Sequence, residues 1–540
     1  MNRQEQADLI ITNARAFTAN RQQPWAESVA VRGSRIVFAG SAADAGAWRG
    51  PQTRVVDGQG ATLLPGLVDS HFHLQWGSTN YEDASLEGIH GFDALAQAIR
   101  AQAARYPDKP WVTGHRLAYD VLGSERMVTR HDLDAIEPHR PVALMSFDYH
   151  ALWANTRALE LAGILHGAPV PHGSEIVMGE DGLAAGQLTE RDAFRYVLDA
   201  MPPLSEAERD RLLGLALQEA ASWGITGVHN MDGDAAQMAR YAARAEQGRL
   251  SLRVWITYSV KPETPIDALA GEAAVLAGRY RTGMVRTGCV KFFMDGVIDS
   301  FTGFMLEPYA LRPDTCGEVL WSAEKFNRYA IEADRLGLQI VVHAIGDAAI
   351  RRTLDGYAAA RKANGRRDSR HRIEHIELLD PQDLPRIREL DVVASMQPLH
   401  ASRPDRNYFL YWTEIVGRRR WRDAFPWRDV HGTGAPLTFG SDWPIVTMDP
   451  YRGLEALVTR QPWAEGLPNQ ALDLTTALEG YTRVPAYAEF QEHEKGQLAE
   501  GMLADLVLLD ADLFALDGEE IAKVRPVLTV CDGRVVYDRT

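Results

Sequence analysis

Apolar runs of four to seven residues alternate with longer helical segments through the middle of the chain. This alternation predicts β/α units, in which each buried strand is followed by a helix that covers a parallel sheet. Eight units over several hundred residues favour an α/β fold, a closed (β/α)8 TIM barrel. The predicted strands are 66–73, 225–230, 252–259, 289–295, 338–344, 372–376, 392–397 and 437–442.

The two ends of the chain follow a different pattern. Short strand-like runs separated by turn signals fill the first 65 residues, and the last part repeats this style with a hairpin signal at Asp532-Gly533. We therefore expect 1–65 and 486–540 to combine in a small β-sandwich domain. The barrel is expected to occupy 66–485.

The stretch between the first two barrel strands, about 75–222, is too long for a single crossover connection. It contains strand-like runs of its own, WVTGHR and PVALMSFDYH. We interpret it as a large insertion after strand 1. Because the segments that follow barrel strands surround the active-site face, we expect the insertion to form a wall or lid over the pocket.

Composition narrows the class of protein. The 540 residues are 46% hydrophobic and 24% charged, with a formal net charge of -16, which repels phosphates and anionic lipids. We therefore expect neither nucleic acid nor a membrane as partner. Three scattered cysteines argue against a disulfide framework and against a cysteine-rich zinc site. The N-terminal pattern is not that of a secretory signal, so we expect a cytoplasmic protein.

His71 and His73 lie two residues apart in the first predicted strand. A strand has a side-chain period of two, so both imidazoles face the same side and can bind one metal ion. His-x-His also occurs by chance, so the motif indicates a metal site only when other candidate ligands accompany it. His343, His375 and Asp442 each stand at the C-terminal tip of another predicted strand, where barrel enzymes place their catalytic groups.

Imidazole and carboxylate are suitable ligands for zinc and similar divalent ions, and an open set of this kind is typical of a catalytic site. Lys291 adds a further clue, because it lies within the apolar fourth strand, CVKFFMD. An ammonium group inside a barrel is costly unless it is paired or neutralised. The alternative is that Lys291 points outward and forms an ordinary salt bridge.

The order His71-x-His73, Lys291, His343, His375 and Asp442 on strands one, four, five, six and eight resembles the binuclear amidohydrolase superfamily. The similarity covers nearly the whole chain. One departure from the YtcJ-like branch of that superfamily follows the lysine. The run DGSLGSxTA is common in the branch, and this chain has DGVIDSFTG (295–303) instead. Five motifs are similar to the YtcJ-like branch, which includes N-substituted formamide deformylases: GITGVHNMD (224–232), VKFFMDG (290–296), VVHAIGDAAI (341–350), RIEHIE (372–377) and FGSDWP (439–444).

The resemblance implies that Lys291 is carboxylated by carbon dioxide and bridges two divalent ions. Histidine and carboxylate ligation favours zinc, with manganese, iron, cobalt and nickel as alternatives. A metal-activated hydroxide then attacks a C–N bond of an amide or an N-substituted formamide. Asp442 is expected to act as general base and then as general acid. The implied metal ligands are His71, His73, Lys291, His343, His375 and Asp442.

Several side chains near the strand ends are candidates for contact with a small-molecule substrate. Ordinary packing is the alternative for the tryptophans, and a surface or core position is the alternative for His150. His229 could instead support a metal ligand through a hydrogen bond. The candidates are Trp76, His150, His229, Gln397 and Trp443, with His400 beside Gln397.

Three other functions compete with the leading one. A mononuclear deaminase or cyclic-amide hydrolase on the same barrel would typically lack the bridging lysine. A non-catalytic regulatory protein could retain the metal site, although no expected ligand is missing. A phosphate- or nucleotide-using barrel enzyme is opposed because no glycine-rich phosphate motif follows the first strand. By analogy with proteins of this size, we expect a homodimer.

Overall fold

The structure is a computed structural model that describes residues 6–123, 126–147, 149–171, 174–401 and 407–540. A parallel strand lies within each of the eight predicted ranges. We number these strands in chain order. They are β1 (Leu67–Phe72), β2 (Ile225–Asn230), β3 (Arg253–Ile256), β4 (Cys289–Phe293), β5 (Gln339–Ala344), β6 (Arg372–His375), β7 (Val393–Met396) and β8 (Leu437–Phe439).

The fold is α/β and of the TIM-barrel type, but its ladders form two sheets rather than one closed barrel. One sheet holds β1 to β3 with Val285–Arg286, and the other holds β4 to β8 with Tyr258–Ser259. The predicted third strand is interrupted at Thr257, so that β3 pairs in the first sheet and Tyr258–Ser259 in the second. After β8, strand pairing with β1 is reduced to an isolated parallel bridge between Phe72 and Trp443. The strands are short, so few ladder bonds are available at these two seams.

The strands are buried on both faces, which is why their sequences are nearly continuous apolar runs. All six residues of β5 are buried, for example. Some of the helices between and after the strands begin at a capping side chain: for example, the Ser322 side chain accepts the N–H of Lys325. These helices are Ala235–Glu246, Ala274–Arg279, Ala323–Arg335, Asp347–Asn364, Leu384–Glu389, Asn407–Val416, Trp427–Gly432, Pro450–Thr459, Leu474–Tyr481 and Arg483–Ala488.

Strands from the two chain ends pair with one another. Thr62–Pro65 forms an antiparallel ladder with Leu506–Leu509 in a six-stranded sheet. A four-stranded sheet lies beside it, and apolar residues of both sheets share one cluster that includes Ile11 and Leu508. The remaining strands of the two sheets are Leu9–Thr12, Arg15–Phe17, Trp25–Ala26, Ser28–Arg32, Arg35–Gly40, Arg54–Asp57, Pro526–Cys531 and Arg534–Asp538.

Residues Leu74–Ala216 form a compact unit of their own, and the rest of the chain forms the second unit. The smaller unit contains a six-stranded sheet of Ala84–Ser85, Val112–Leu117, Val142–Ser146, Ala151–Ala154, Glu175–Met178 and Ala184–Thr189. Its helices are Leu74–Thr79, Phe92–Arg105, Arg130–Ile136, Thr156–Leu161 and Arg191–Ala200, and Glu206–Ser222 leads out of it. The domain limits expected from the sequence, 1–65, 66–485 and 486–540, remain a prediction.

Two further observations concern the whole chain. All three cysteines are free thiols, with Cys289 and Cys531 buried. Among the described residues, no helix combines the length and the apolar character that a membrane crossing requires.

Candidate metal centre

The strand ends bring three predicted ligands together. His71 lies in β1, His73 directly follows that strand, and Asp442 lies three residues after β8. The ring nitrogen Nε2 of His73 lies 3.0 Å from Asp442 Oδ1, and Nε2 of His71 lies 3.5 Å from the same oxygen. Ligand atoms of all three residues lie within 4.8 Å of one another, so they can hold one metal ion.

Each of these two histidines has a carboxylate behind its ring. Nδ1 of His71 lies 2.7 Å from Glu374 Oε2, and Nδ1 of His73 lies 3.1 Å from Asp232 Oδ1. A carboxylate that accepts the Nδ1 proton leaves Nε2 with its lone pair. Both lone pairs then face Asp442.

His343 and His375 lie next to this triad. The ring of His375 is 4.7 Å from that of His71 and 4.4 Å from that of His343, centroid to centroid. Nε2 of His343 lies 3.0 Å from the carbonyl oxygen of Gly296, which leaves Nδ1 as the nitrogen available to a metal. Both ring nitrogens of His375 are buried without a hydrogen-bond partner among the described residues.

Lys291 points inward and is only 1% exposed. Its Nζ has no hydrogen-bond partner within the described part of the chain and lies 5.1 Å from the ring centre of Phe293. Burial lowers the pKa of this amine to about 8. An outward-pointing, salt-bridged lysine is therefore not what the structure contains.

His400 extends the cluster on the side of Asp442. His375, His400 and Asp442 form a second group with ligand atoms within 4.8 Å, and the rings of His375 and His400 are parallel and 6.0 Å apart. Nδ1 of His400 faces Glu377 Oε1 at 3.4 Å, and its Nε2 faces Asp442 Oδ2 at 3.8 Å. Asp442 is thus shared by both groups.

The electrostatics of the cluster favour neutral imidazoles at His71 and His343 and an ionised Asp442. Burial, followed by the charge of Lys291, lowers the pKa of His71 to about 4 and that of His343 to about 3. Burial opposes the ionised form of Asp442, but the neighbouring histidines outweigh it and hold its pKa below the ordinary value. Neutral imidazole and carboxylate are the forms that bind metal.

Burial also disfavours a charged His73, but Asp232 and Asp442 together raise its pKa to about 9. The Asp442 carboxylate can be neutralised either by a proton on His73 Nε2 or by a metal cation bound between His73 Nε2 and Asp442. The residues therefore fit a divalent ion: lone pairs converge on one carboxylate, and the buried nitrogens of His375 and Lys291 need a partner.

The backbone turns sharply at two of these residues. His375 has φ 76° and Asp442 has φ 59°, both in the left-handed region that residues other than glycine seldom adopt. Such a conformation costs about 1–3 kcal/mol and is concentrated at functional sites.

Asp69 was missed by the sequence analysis, although it stands two residues before His71 on the same face of β1. Its carboxylate accepts the backbone N–H of His71 and, at 2.9 Å and 3.1 Å, the N–H of Ser441. Burial raises the pKa of Asp69 to about 7, against the lowering effect of these hydrogen bonds. This side chain ties β1 to the segment that carries Asp442.

The sequence analysis also assigned no role to Glu374 and Asp232, which appear there only within longer motifs. The signal for Glu374 is its spacing, because Arg372 and Glu374 are two apart in a strand and so place two opposite charges on one inward face. Nothing local in the sequence predicts that Asp232 approaches His73.

The predicted substrate contacts occupy different places. Gln397 is 1% exposed, and neither of its amide atoms has a hydrogen-bond partner among the described residues. Trp443 is buried and stacks on Phe72 at 4.9 Å. His229 is fully buried, with Nδ1 2.6 Å from Arg372 Nη1 and Nε2 3.7 Å from Glu489 Oε1.

Trp76 and His150 belong to the unit Leu74–Ala216. There, Trp76 packs edge-on against Tyr149 at 4.6 Å between ring centres. Nδ1 of His150 lies 3.1 Å from the Glu190 carboxylate. Their contact with substrate remains a prediction.

Parallel strands of a TIM-barrel type fold, with histidines and an aspartate converging at their C-terminal ends, define a metal-dependent hydrolase. Comparison with known families assigns the chain within that class. The family model described as "Amidohydrolase family" matches residues 54–537, so the chain belongs to the amidohydrolase family. It is an enzyme, a hydrolase acting on C–N bonds.

Two curated relatives span most of this chain. It is 30% identical over 500 residues to "Putative amidohydrolase YtcJ" of Bacillus subtilis, covering 91% of this chain and 92% of the relative. It is 26% identical over 550 residues to "N-substituted formamide deformylase" of Arthrobacter pascens, covering 99% of each. The YtcJ-like resemblance read from the motifs is confirmed.

A solved structure supports the same assignment. An uncharacterized metal-dependent hydrolase from Pyrococcus furiosus is 25% identical and aligns with a TM-score of 0.74, covering 93% of this chain and 99% of that one. The structural similarity therefore extends over nearly the whole chain.

Proposed function

We propose that the enzyme hydrolyses N-substituted formamides or closely related small amides at a centre of two divalent ions, with zinc as the expected metal. The observation that carries the proposal is the buried amine of Lys291, which has no hydrogen-bond partner among the described residues and lies beside the cluster of His71, His73, His343, His375 and Asp442. The choice of substrate is supported by the relative from Arthrobacter pascens, whose name specifies N-substituted formamides.

Carboxylation of Lys291 accounts for its burial. The neutral amine adds to carbon dioxide, an N–C bond forms, one proton leaves, and the side chain becomes an anionic carbamate with two oxygen donors. The carbamate thus takes the place of a buried amine and offers oxygen donors that two cations could share. His71, His73 and Asp442 would hold one ion, and His343 and His375 the other, with the Lys291 carbamate between them.

Divalent ions held by these residues would supply a hydroxide at neutral pH and would polarise the substrate carbonyl. Asp442 accepts the proton of the attacking water and delivers it to the leaving nitrogen as the C–N bond breaks. Formamide hydrolysis then balances as one water consumed, with one amine and one formate produced. Gln397 is available to bind the substrate amide, because both of its own amide atoms need partners.

The first experiment measures metal content by elemental mass spectrometry on protein purified without chelator. About two ions per chain are expected in the wild type, with a clear decrease in Lys291→Ala. Lys523→Ala, which removes a lysine that is 75% exposed, is the matched control and should keep the wild-type content. One ion per chain, unchanged in Lys291→Ala, would instead favour the mononuclear alternative.

The second experiment follows amine release from formanilide and from N-alkyl formamides. Asp442→Asn is expected to retain part of its metal and to lose nearly all turnover, because the amide cannot accept the proton. A rate near that of the wild type would exclude Asp442 as the base. The absence of turnover of any formamide by the metal-loaded wild type would exclude this substrate class.

A further inference from the structure

Glu374 has no role in the ligand set, yet it is completely buried beside it. It lies in β6, one residue before His375, with an exposed fraction of 0%. Its Oε2 contacts His71 Nδ1 at 2.7 Å. An uncompensated carboxylate in such a position would cost several kcal/mol. Its partners therefore decide what it does.

The main partner is Arg372, which is also completely buried. Its Nε donates to Glu374 Oε1 at 2.8 Å, and its Nη2 donates to Oε2 at 3.1 Å. This two-pronged pair keeps the carboxylate ionised and leaves it little freedom to rotate. Since the ionised carboxylate only accepts, His71 must donate its Nδ1 proton to it.

Arg372 is itself anchored to three other strands. Nη2 also donates to the carbonyl oxygen of Ser70 in β1 at 2.7 Å and to the hydroxyl of Ser395 in β7 at 3.1 Å. Nη1 lies 2.6 Å from Nδ1 of His229 in β2. One guanidinium group thus contacts β1, β2, β6 and β7. Glu374 is held by a rigid part of the fold.

We propose that Glu374, held by Arg372, is a positioning residue that fixes the ring of His71 with Nε2 directed toward the metal position. The inference rests on the metal centre of the proposed function but not on its substrate. His71 Nε2 then faces Asp442 Oδ1, 3.5 Å away, with its lone pair. Without Glu374, the ring can place its proton on Nε2 or rotate about its bonds, and a ligand is lost for part of the time.

His73 provides an internal comparison. Its Nδ1 contacts Asp232, whose side chain is 32% exposed, against 0% for Glu374. Water can solvate part of the Asp232 side chain, but it has no access to Glu374. The structure therefore predicts a larger effect at Glu374 than at Asp232.

The test measures the affinity of the full-length apoprotein for zinc by competition with a chromophoric chelator. Glu374→Gln is expected to weaken the binding of zinc about 10- to 100-fold, the usual effect of losing such a partner. Asp232→Asn should weaken it less. Asp505→Asn is the matched control. Asp505 is also a buried carboxylate paired with an arginine, Arg253, but it is not hydrogen-bonded to a predicted metal ligand.

Two milder variants keep the test decisive if Glu374→Gln folds poorly. Ser395→Ala removes one hydrogen bond that holds Arg372 and should weaken zinc binding in the same direction by a smaller factor. Glu374→Asp retains the charge and should recover part of the affinity lost in Glu374→Gln. The absorption spectrum of bound Co²⁺ should also change in Glu374→Gln, since the ligand field depends on His71.

The outcomes separate the two proposals. Wild-type zinc affinity and an unchanged Co²⁺ spectrum in folded Glu374→Gln would overturn the positioning role, whatever the activity. An equal loss of affinity in Asp505→Asn would also overturn it, because the effect would then be one of general stability. A wild type that binds zinc but hydrolyses no formamide would end the substrate proposal and leave the role of Glu374 to be judged by affinity alone.

Discussion

Asp69 accepts the backbone N–H of Ser441, so a carboxylate in the first strand holds the chain immediately before Asp442. The same carboxylate accepts the N–H of His71. These bonds lie at the seam between β8 and β1, where the ladder is reduced to a single bridge. Together with the backbone hydrogen bond from the N–H of Asp442 to the carbonyl oxygen of His71, this buried side chain fixes the relative position of His71 and Asp442.

Asp69→Asn tests this dependence. The amide group retains only one acceptor and presents N–H groups to backbone N–H groups, so we expect a loss of about 1–3 kcal/mol in the free energy of unfolding. Zinc content should decrease as well. Both are measured by chemical denaturation and elemental analysis. Asp57→Asn is the control, because Asp57 also accepts a backbone N–H but is exposed; a similar loss in this control would refute a special role for Asp69.

Gly440 lies at the same seam and has no room for a side chain. A Cβ at this position would collide with the backbone nitrogen of His71 and with the carboxylate of Asp69. Gly440→Ala should therefore cost about 1–3 kcal/mol by overpacking and reduce zinc content by displacing β8 from β1. Thermal unfolding and metal analysis check both effects.

The matched control is Gly278→Ala. Gly278 lies in the helix Ala274–Arg279 with open space around its Cα, so alanine should stabilise the protein by about 0.5–1 kcal/mol and leave the metal content unchanged. If both alanine variants behave alike, the steric argument at Gly440 is wrong.

Reconstitution should depend on carbon dioxide if Lys291 is carboxylated. Apoprotein prepared with chelator in buffer free of carbon dioxide should regain two zinc ions per chain faster when bicarbonate is added. Lys291→Met has no amine to carboxylate, so its slower and incomplete uptake should not respond to bicarbonate. Equal responses of the wild type and the variant would contradict a carbamate at this position.

Gln397→Leu should have opposite effects on stability and on substrate binding. The buried amide of Gln397 has no protein partner within the described residues, so leucine of similar size is expected to raise the melting temperature. Loss of the amide should raise KM for formamides by about tenfold, the equivalent of one hydrogen bond of roughly 1.4 kcal/mol. A lower melting temperature with unchanged KM would make Gln397 a structural residue.

The eight parallel strands, and the five candidate ligands at their ends, could be predicted from the sequence because these signals are local. That these residues bind metal stays a prediction. Each strand is a short apolar run, and His71, His73, His343, His375 and Asp442 each stand at or next to the end of one. The carboxyl ends of successive parallel strands meet at one edge, so strand order alone brings these residues together. For Lys291 the sequence left an outward, salt-bridged side chain as an alternative, and the structure places the side chain in the interior.

Tertiary structure decided the interactions that hold these ligands. Glu374 reaches His71 from 303 residues away, and Asp69 reaches Ser441 across 372 residues. In the folded chain His229 contacts Arg372 and Glu489. The barrel strands form two sheets instead of one, and Leu74–Ala216 forms a separate compact unit. Residue patterns predict strands because side-chain periodicity is local, whereas the partner of a buried charge depends on which distant backbone the folded chain places beside it.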